Sequence, residues 1–206
     1  MNNIDKYFIE LASGGKVPLR YLGENPCSYE CQWNRQWHAL DNTGVAKCLA
    51  DLFAKGYIFF EAEGSRLSLH ANEIVTHIQE TDFRVCYGLT NKGGNSFEKE
   101  FLVDWTRYYY LDLELNYITL TSRTEHLNRL LTFVAIDNGI ECFDAKPKVS
   151  VISPWSPNYW KTFAFAYQVT VSCKSQRTCF SVPAEWLTSE RLYWKWYNGP
   201  PEPIKT

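Results

Sequence analysis

The sequence predicts an α+β protein in two parts, a helix-rich first half and a second half built on a small antiparallel sheet with one packed helix. Three observations carry this. Apolar residues recur at helical spacing around Ile4, Val45 and Leu127, the mark of amphipathic helices. Short aromatic and β-branched runs such as Tyr57-Ile58-Phe59-Phe60 and Val149-Ser150-Val151-Ile152 lie between those stripes and suit strands. The chain also changes character between Val103 and Asp112, where tyrosine-rich strand-like segments begin. Parts of 1–105 and 106–206 follow, and a chain of 206 residues with 45% hydrophobic side chains has enough apolar surface to bury a core.

In the first part, Ile4, Tyr7, Phe8 and Leu11 recur at i, i+3, i+4, i+7 before Gly14-Gly15, so 3–12 reads as a helix with a glycine stop. Residues 16–32 hold Pro18, Gly23 and Pro26 and read as a connector. Trp33, Trp37 and Leu40 fit one helical face. Val45, Cys48, Leu49, Leu52 and Phe53 form the next stripe, capped by Asn42 or Thr43 and ended by Gly56. Strand 57–62 and a Glu63-Gly64 turn follow, then a helix through Ile74, His77 and Ile78, a strand over 84–90, and a helix over 95–103 with Phe97 and Phe101 at i, i+4.

In the second part, Tyr108 to Leu111 and Tyr117 to Thr121 read as strands. The order Ser122-x-x-Glu125 has the form of a capping box before a stripe of Leu127, Leu130, Leu131 and Val134 that ends at Asn138-Gly139. Strands are expected at 149–152, 163–171 and 178–182, and a short helix near 188–197.

Cys86-Tyr87-Gly88-Leu89-Thr90-Asn91-Lys92-Gly93-Gly94, with its Tyr-x-Leu-Thr-x-x-Gly order, resembles the last wing strand of bacterial winged-helix domains, and Leu49 to Ile58 resembles the end of their third helix. The resemblance covers roughly residues 40 to 105. It implies that Tyr87 and Leu89 face the core, Thr90 caps the next helix, and the glycine allows tight passage into it. The expected helix over 69–78 sits where the family has a short hairpin, so it replaces the wing that usually lies along DNA. The Tyr-Gly-Leu-Thr-x-x-Gly-Gly segment followed by an acidic helix also resembles bacterial proteins of the immunity-protein type.

Charge narrows the partners. The chain carries 21 Lys+Arg and 23 Asp+Glu, for a net −2, which disfavours nucleic acid and anionic membranes. The half that resembles a DNA-binding fold is the acidic one, with ten basic and fourteen acidic side chains in 1–105, and its presumed recognition helix offers only Lys47 and Lys55. No apolar run approaches the ~20 residues that span a bilayer. Seven cysteines, an odd number, and a start without an apolar run lead to the expectation of a cytoplasmic protein with reduced thiols.

No pattern supplies an active site. Cys27-x3-Cys31 with His38 lacks the second pair of ligands that tetrahedral zinc wants, none of the four histidines lies in a nucleophile signature, and Gly93-Gly94 lacks the spaced glycines of a phosphate loop. No cofactor and no metal are expected, and the role is binding rather than catalysis. The concrete expectation is an immunity protein that neutralises a toxin by binding it, and the alternative is a winged-helix transcription regulator that binds DNA. Many toxin domains attack nucleic acid and are basic, so an acidic inhibitor gains by electrostatic steering. The candidate contact residues are Glu61, Glu63, Glu73, Glu80 and Asp82 in and around the inserted helix. Trp155, Tyr159 and Trp160, in the proline-containing loop from Pro154 to Trp160, are the candidate aromatic anchors.

Overall fold

A computed structural model describes the chain except for residues 25–28, 81–82, 115, 143–146, 176–182 and 199–206. It is an α+β protein, and its contacts divide it into two units. Residues 1–102 and 158–161 belong to the first, and 103–157 and 162–198 to the second.

The first unit starts with α1 (Asn3–Leu11), whose Asp5 N–H donates to Asn2 Oδ1 at 2.7 Å. Strand β1 (Val17–Pro18) runs into a 3-10 turn over Leu19–Leu22, followed by α2 (Tyr29–His38) and α3 (Asn42–Ala54). The α3 cap is Asp41, one residue before the expected pair: its Oδ1 accepts from Gly44 N at 2.7 Å, while Asn42 accepts from Glu24 N instead. Strands β2 (Ile58–Ala62) and β3 (Ser65–Leu67) form a hairpin. Glu63 and Gly64 both have positive φ, 50° and 83°, the backbone that a two-residue loop needs to match strand twist. Helix α4 (Ala71–Gln79), strand β4 (Val85–Leu89) and helix α5 (Asn91–Glu100) complete the unit.

The sheet order is β1-β4-β2-β3 with antiparallel neighbours, and β2 meets β4 with Ile58 opposite Leu89 and Phe60 opposite Tyr87. The two strands expected at 57–62 and 84–90 are therefore paired. Thr90 caps α5, its Oγ1 accepting from Gly93 N at 3.1 Å. The helix thus starts four residues before the expected 95, with both glycines inside it. A Cβ on Gly93 would overlap the Tyr57 carbonyl oxygen, and one on Gly94 would overlap the Trp160 ring. Close approach, not turning, is what these glycines permit. Phe8, Leu19, Leu49, Leu52, Phe60, Ile74, Ile78, Tyr87 and Phe97 are fully buried or nearly so, and Tyr87 donates its hydroxyl to Phe8 C=O at 3.1 Å.

The second unit holds β5 (Tyr109–Leu113), β6 (Tyr117–Ser122), α6 (Leu127–Asp137), β7 (Ile140–Cys142), β8 (Val149–Ile152), β9 (Ala166–Ser175) and α7 (Ala184–Tyr193). Strand β9 lies between β6 on one side and β7 and β8 on the other, all antiparallel. Helix α6 lays Leu127, Leu130, Phe133 and Val134 on Ile118, Leu120, Val169 and Val171. Helix α7 begins four residues before the expected helix and is tied to α6 by a two-pronged Arg129–Glu190 pair at 3.1 and 2.6 Å. The expected capping box is not formed: Ser122 ends β6 and donates to Tyr108 C=O, and Glu125 accepts from Tyr167 Oη. The strand expected at 178–182 falls outside the described residues.

Candidate functional site

Helix α2 is built inside out. Its buried face is Cys31, Asn34 and His38, spaced i, i+3, i+7, while Tyr29 and Trp33 are 71% and 48% exposed. Burying apolar side chains and exposing polar ones is the usual economy of an amphipathic helix, so the reversal needs a local cause. It is found in α1 and the 3-10 turn. Asn34 donates its Nδ2 to Tyr21 C=O at 3.0 Å and accepts the Tyr7 hydroxyl on Oδ1 at 2.7 Å. Cys31 Sγ lies 3.6 Å from Arg20 C=O, and Leu40 N–H donates to His38 Nδ1 at 3.0 Å. The carbonyls of a 3-10 turn and one buried tyrosine hydroxyl need partners, and α2 supplies them from its inner face. Burial, helped by Glu10, pushes the Tyr7 phenol well above its ordinary pKa, so it stays a donor.

The aromatic face turned outward forms a ladder. Tyr29 and Trp33 stack with ring centres 6.1 Å apart, Trp33 and Trp37 lie 6.2 Å apart, and Trp37 stacks on Tyr7 at 6.1 Å. Tyr29 and Trp33 line an open groove of about 470 Å³ together with Val17 and Pro18 of β1, Leu11 and Tyr21. Its volume and its apolar walls lie within the usual range of binding sites. Among the described residues Lys16 and Glu30 are the charged ones that line it, and Lys16 is ion-paired with Glu61.

The residues singled out in the sequence sit elsewhere. Trp155 is 7% exposed and Trp160 is 9% exposed, so both expected anchors are buried in this structure. Trp155 stacks on Phe163 at 5.9 Å within an aromatic cluster of the second unit that includes Trp105, Tyr108 and Trp196. In the first unit Trp160 donates Nε1 to Ser13 C=O at 2.8 Å and meets Phe97 edge-on. Tyr159 donates to Ala12 C=O and accepts from Leu89 N–H, both at 2.6 Å. Asn158 closes the turn by accepting from Lys161 N–H at 2.9 Å.

Each described acidic candidate has an internal task. Glu61 pairs with Lys16, and Glu63 occupies the hairpin turn 3.5 Å from Arg84. Glu73 accepts from His70 N–H at 2.7 Å and so caps α4, and Glu80 meets His77 Nδ1 at 2.8 Å. Asp82 lies outside the described residues. Glu63, His77, Glu80 and Arg84 do come together around a smaller cleft of about 310 Å³, with charges of both signs.

The sequence reading missed the groove, although a signal was present. Tyr29, Trp33 and Trp37 repeat at i, i+4, i+8 beside an Asn and a His on the opposite face, whereas helical spacing alone only places Trp33 and Trp37 on one face with Leu40.

Among the described residues, no group of three His, Cys, Asp or Glu is placed to hold a metal ion. Burial pushes the Cys48, Cys86 and Cys173 thiols up, which keeps them protonated and poorly nucleophilic. No described helix is long and apolar enough to cross a membrane. The chain matches no protein-family model, no curated protein and no solved structure.

Proposed function

We propose that this protein binds another protein through the aromatic groove of its first unit, most concretely as an immunity protein that neutralises a toxin by covering it. The observation that carries the reading is the inverted helix α2, which exposes Tyr29 and Trp33 over an apolar groove. Large exposed aromatics are costly to leave in water and are the side chains that dominate protein interfaces. The pairing of β2 with β4 beside α3 supports a winged-helix-like first unit. It gives little support to DNA binding, because α4 packs along α3 and the exposed stripe of α3 is Thr43, Lys47, Asp51 and Ala54. A single lysine followed one turn later by an aspartate is a poor match for phosphates.

Co-purification from the native host, with the captured protein identified by mass spectrometry, tests the reading. One protein should be recovered with the wild type and lost with Trp33→Ala and Tyr29→Ala. Cells carrying the wild type, but not Trp33→Ala, should survive contact with toxin-bearing siblings. Recovery of the same partner by both variants would remove the groove from the account, and equal survival would remove the immunity role.

A further inference from the structure

We infer that Cys142 and Cys173 are a redox-responsive pair, two thiols placed to close into a cross-strand disulfide when the protein meets an oxidising disulfide; this goes beyond the binding reading and does not involve the groove. The placement follows from register. Strands β7 and β9 run antiparallel with Cys142 directly opposite Cys173. An antiparallel ladder alternates two kinds of opposed pair: one exchanges hydrogen bonds with its Cα atoms about 5.5 Å apart, and the other makes none and holds them about 4.5 Å apart. The hydrogen bonds of β9 decide which kind this is. Cys173 N–H donates to Asn116 C=O at 2.8 Å, on the β6 side, so the backbone polar groups of Cys173 turn away from β7. Cys142 and Cys173 therefore stand at a non-hydrogen-bonded position, the closer of the two kinds, and a Cα separation of about 4.5 Å falls within the roughly 4.4–6.8 Å that a disulfide spans.

Directly opposed residues share one face of a sheet. Cys173 belongs to the core beneath α6, and Ile140, two positions before Cys142 on β7, packs against the same core, which assigns the pair to that face. Of the other described cysteines, Cys86 stands opposite Glu61 and Pro18, and Cys31 and Cys48 lie on helices. The chemistry is thiol–disulfide exchange, with a low-molecular-weight disulfide as the oxidant. Cys173 is a free thiol and only 8% exposed, so the first attack falls to Cys142, on the strand that ends the sheet order. Its thiolate, formed by loss of a proton to water, bonds to one sulfur of the oxidant and expels the other, which leaves as a thiol. Cys173, losing its own proton, then attacks the Cys142 sulfur and expels the second thiol. Two protein thiols give up two electrons, and the external disulfide is reduced to two thiols. The bond fastens β7 to β9 and closes the chain from 142 to 173 into a loop, which restricts the unfolded chain and so favours the folded one.

The test uses the full chain, reduced, freed of reductant and incubated with glutathione disulfide well below its melting temperature. Remaining thiols are blocked with N-ethylmaleimide, and linked peptides are identified by mass spectrometry. A Cys142–Cys173 link should be the dominant product, formed with the loss of two of the seven thiols. The oxidised protein should melt several degrees above the reduced one, a shift that dithiothreitol reverses. Cys142→Ser and Cys142→Ala should each lose both the link and the shift, and whichever of the two folds serves. Cys173→Ser should instead retain glutathione on Cys142, because no thiol is left opposite to displace it. A dominant link between Cys173 and Cys179, or glutathione adducts without a Cys142–Cys173 link in wild-type protein shown folded by its melt, would overturn the inference. So would a link that leaves the melting temperature unchanged, since a bond made in the native register stabilises the fold that holds it.

Discussion

Gly93 and Gly94 set how closely α5 can approach its neighbours. At Gly93 an added methyl meets backbone, the Tyr57 carbonyl, which also accepts from Thr90 N–H at 3.0 Å. At Gly94 it meets the ring of Trp160, a side chain with some freedom to give. Overpacking of this kind costs about 1–3 kcal/mol and sometimes more. Gly93→Ala should therefore destabilise the first unit more than Gly94→Ala does in urea unfolding, and Gly94→Ala should raise the exposure of Trp160 to a fluorescence quencher. The Tyr-x-Leu-Thr-x-x-Gly order located the Thr90 cap, but a glycine pair reads as a break in a helix unless the neighbour it admits is known. His38 was less legible still. It ends α2 as a surface histidine would, yet it is 1% exposed against Tyr7 and Phe8. Its Nδ1 accepts from Leu40, so the proton is on Nε2, which is buried without a partner. Burial first, and Arg35 second, lower its pKa to about 4. A histidine neutral when folded takes up its proton more readily when unfolded, so its contribution is present above about pH 6.5 and is lost as pH falls toward about 4. The shift bounds that loss at about 3 kcal/mol. Unfolding midpoints for wild type should fall more steeply between pH 6.5 and 4.5 than those of His38→Phe; parallel curves would refute this.

At the scale of elements, α4 is the feature that separates this unit from a plain three-helix and hairpin arrangement. It fixes Ile74 and Ile78 against α3, and truncating buried aliphatic side chains costs about 2–5 kcal/mol. Ile78→Ala and Leu52→Ala should each fall in that range in urea unfolding, and a value near zero would place either side chain at the surface. The α3 stripe, the hairpin turn and the α4 stripe were legible because each follows one local rule, spacing or turn chemistry. Strand β1 was not, since two residues cannot show a period and Pro18 argues against a strand; tertiary pairing with Tyr87 and Cys86 makes it one. Helix α2 was legible as a helical face, but not the direction in which that face turns. Its orientation depends on which groups α1 and the 3-10 turn leave unsatisfied, and no window of local sequence contains that information. The Pro154 to Trp160 loop was misjudged for the same reason: the acceptors for Tyr159 and Trp160 lie at Ala12 and Ser13, almost 150 residues away in sequence.

For the whole molecule, charge count and charge placement give different answers. The first half carries a net −4, yet its described acidic candidates are matched by Lys16, Arg84, His77 and a helix N-terminus. Long-range steering by these residues is accordingly modest. Glu63→Lys with Glu80→Lys should slow association with the partner only a few-fold, an effect that fades as salt is raised. Duplex DNA at physiological salt should bind no tighter than micromolar, and Lys47→Ala with Lys55→Ala should leave that unchanged.

The most direct measurement is the dissociation rate of the captured partner from wild type and from Trp33→Ala, by surface plasmon resonance, with matched thermal melts. Residues at the centre of an interface act mainly on dissociation. Recognition through the groove predicts a rise in the off-rate of about tenfold or more, with little change in melting temperature because Trp33 is half exposed. An unchanged off-rate in a folded Trp33→Ala protein would contradict it and place the binding surface elsewhere on the molecule.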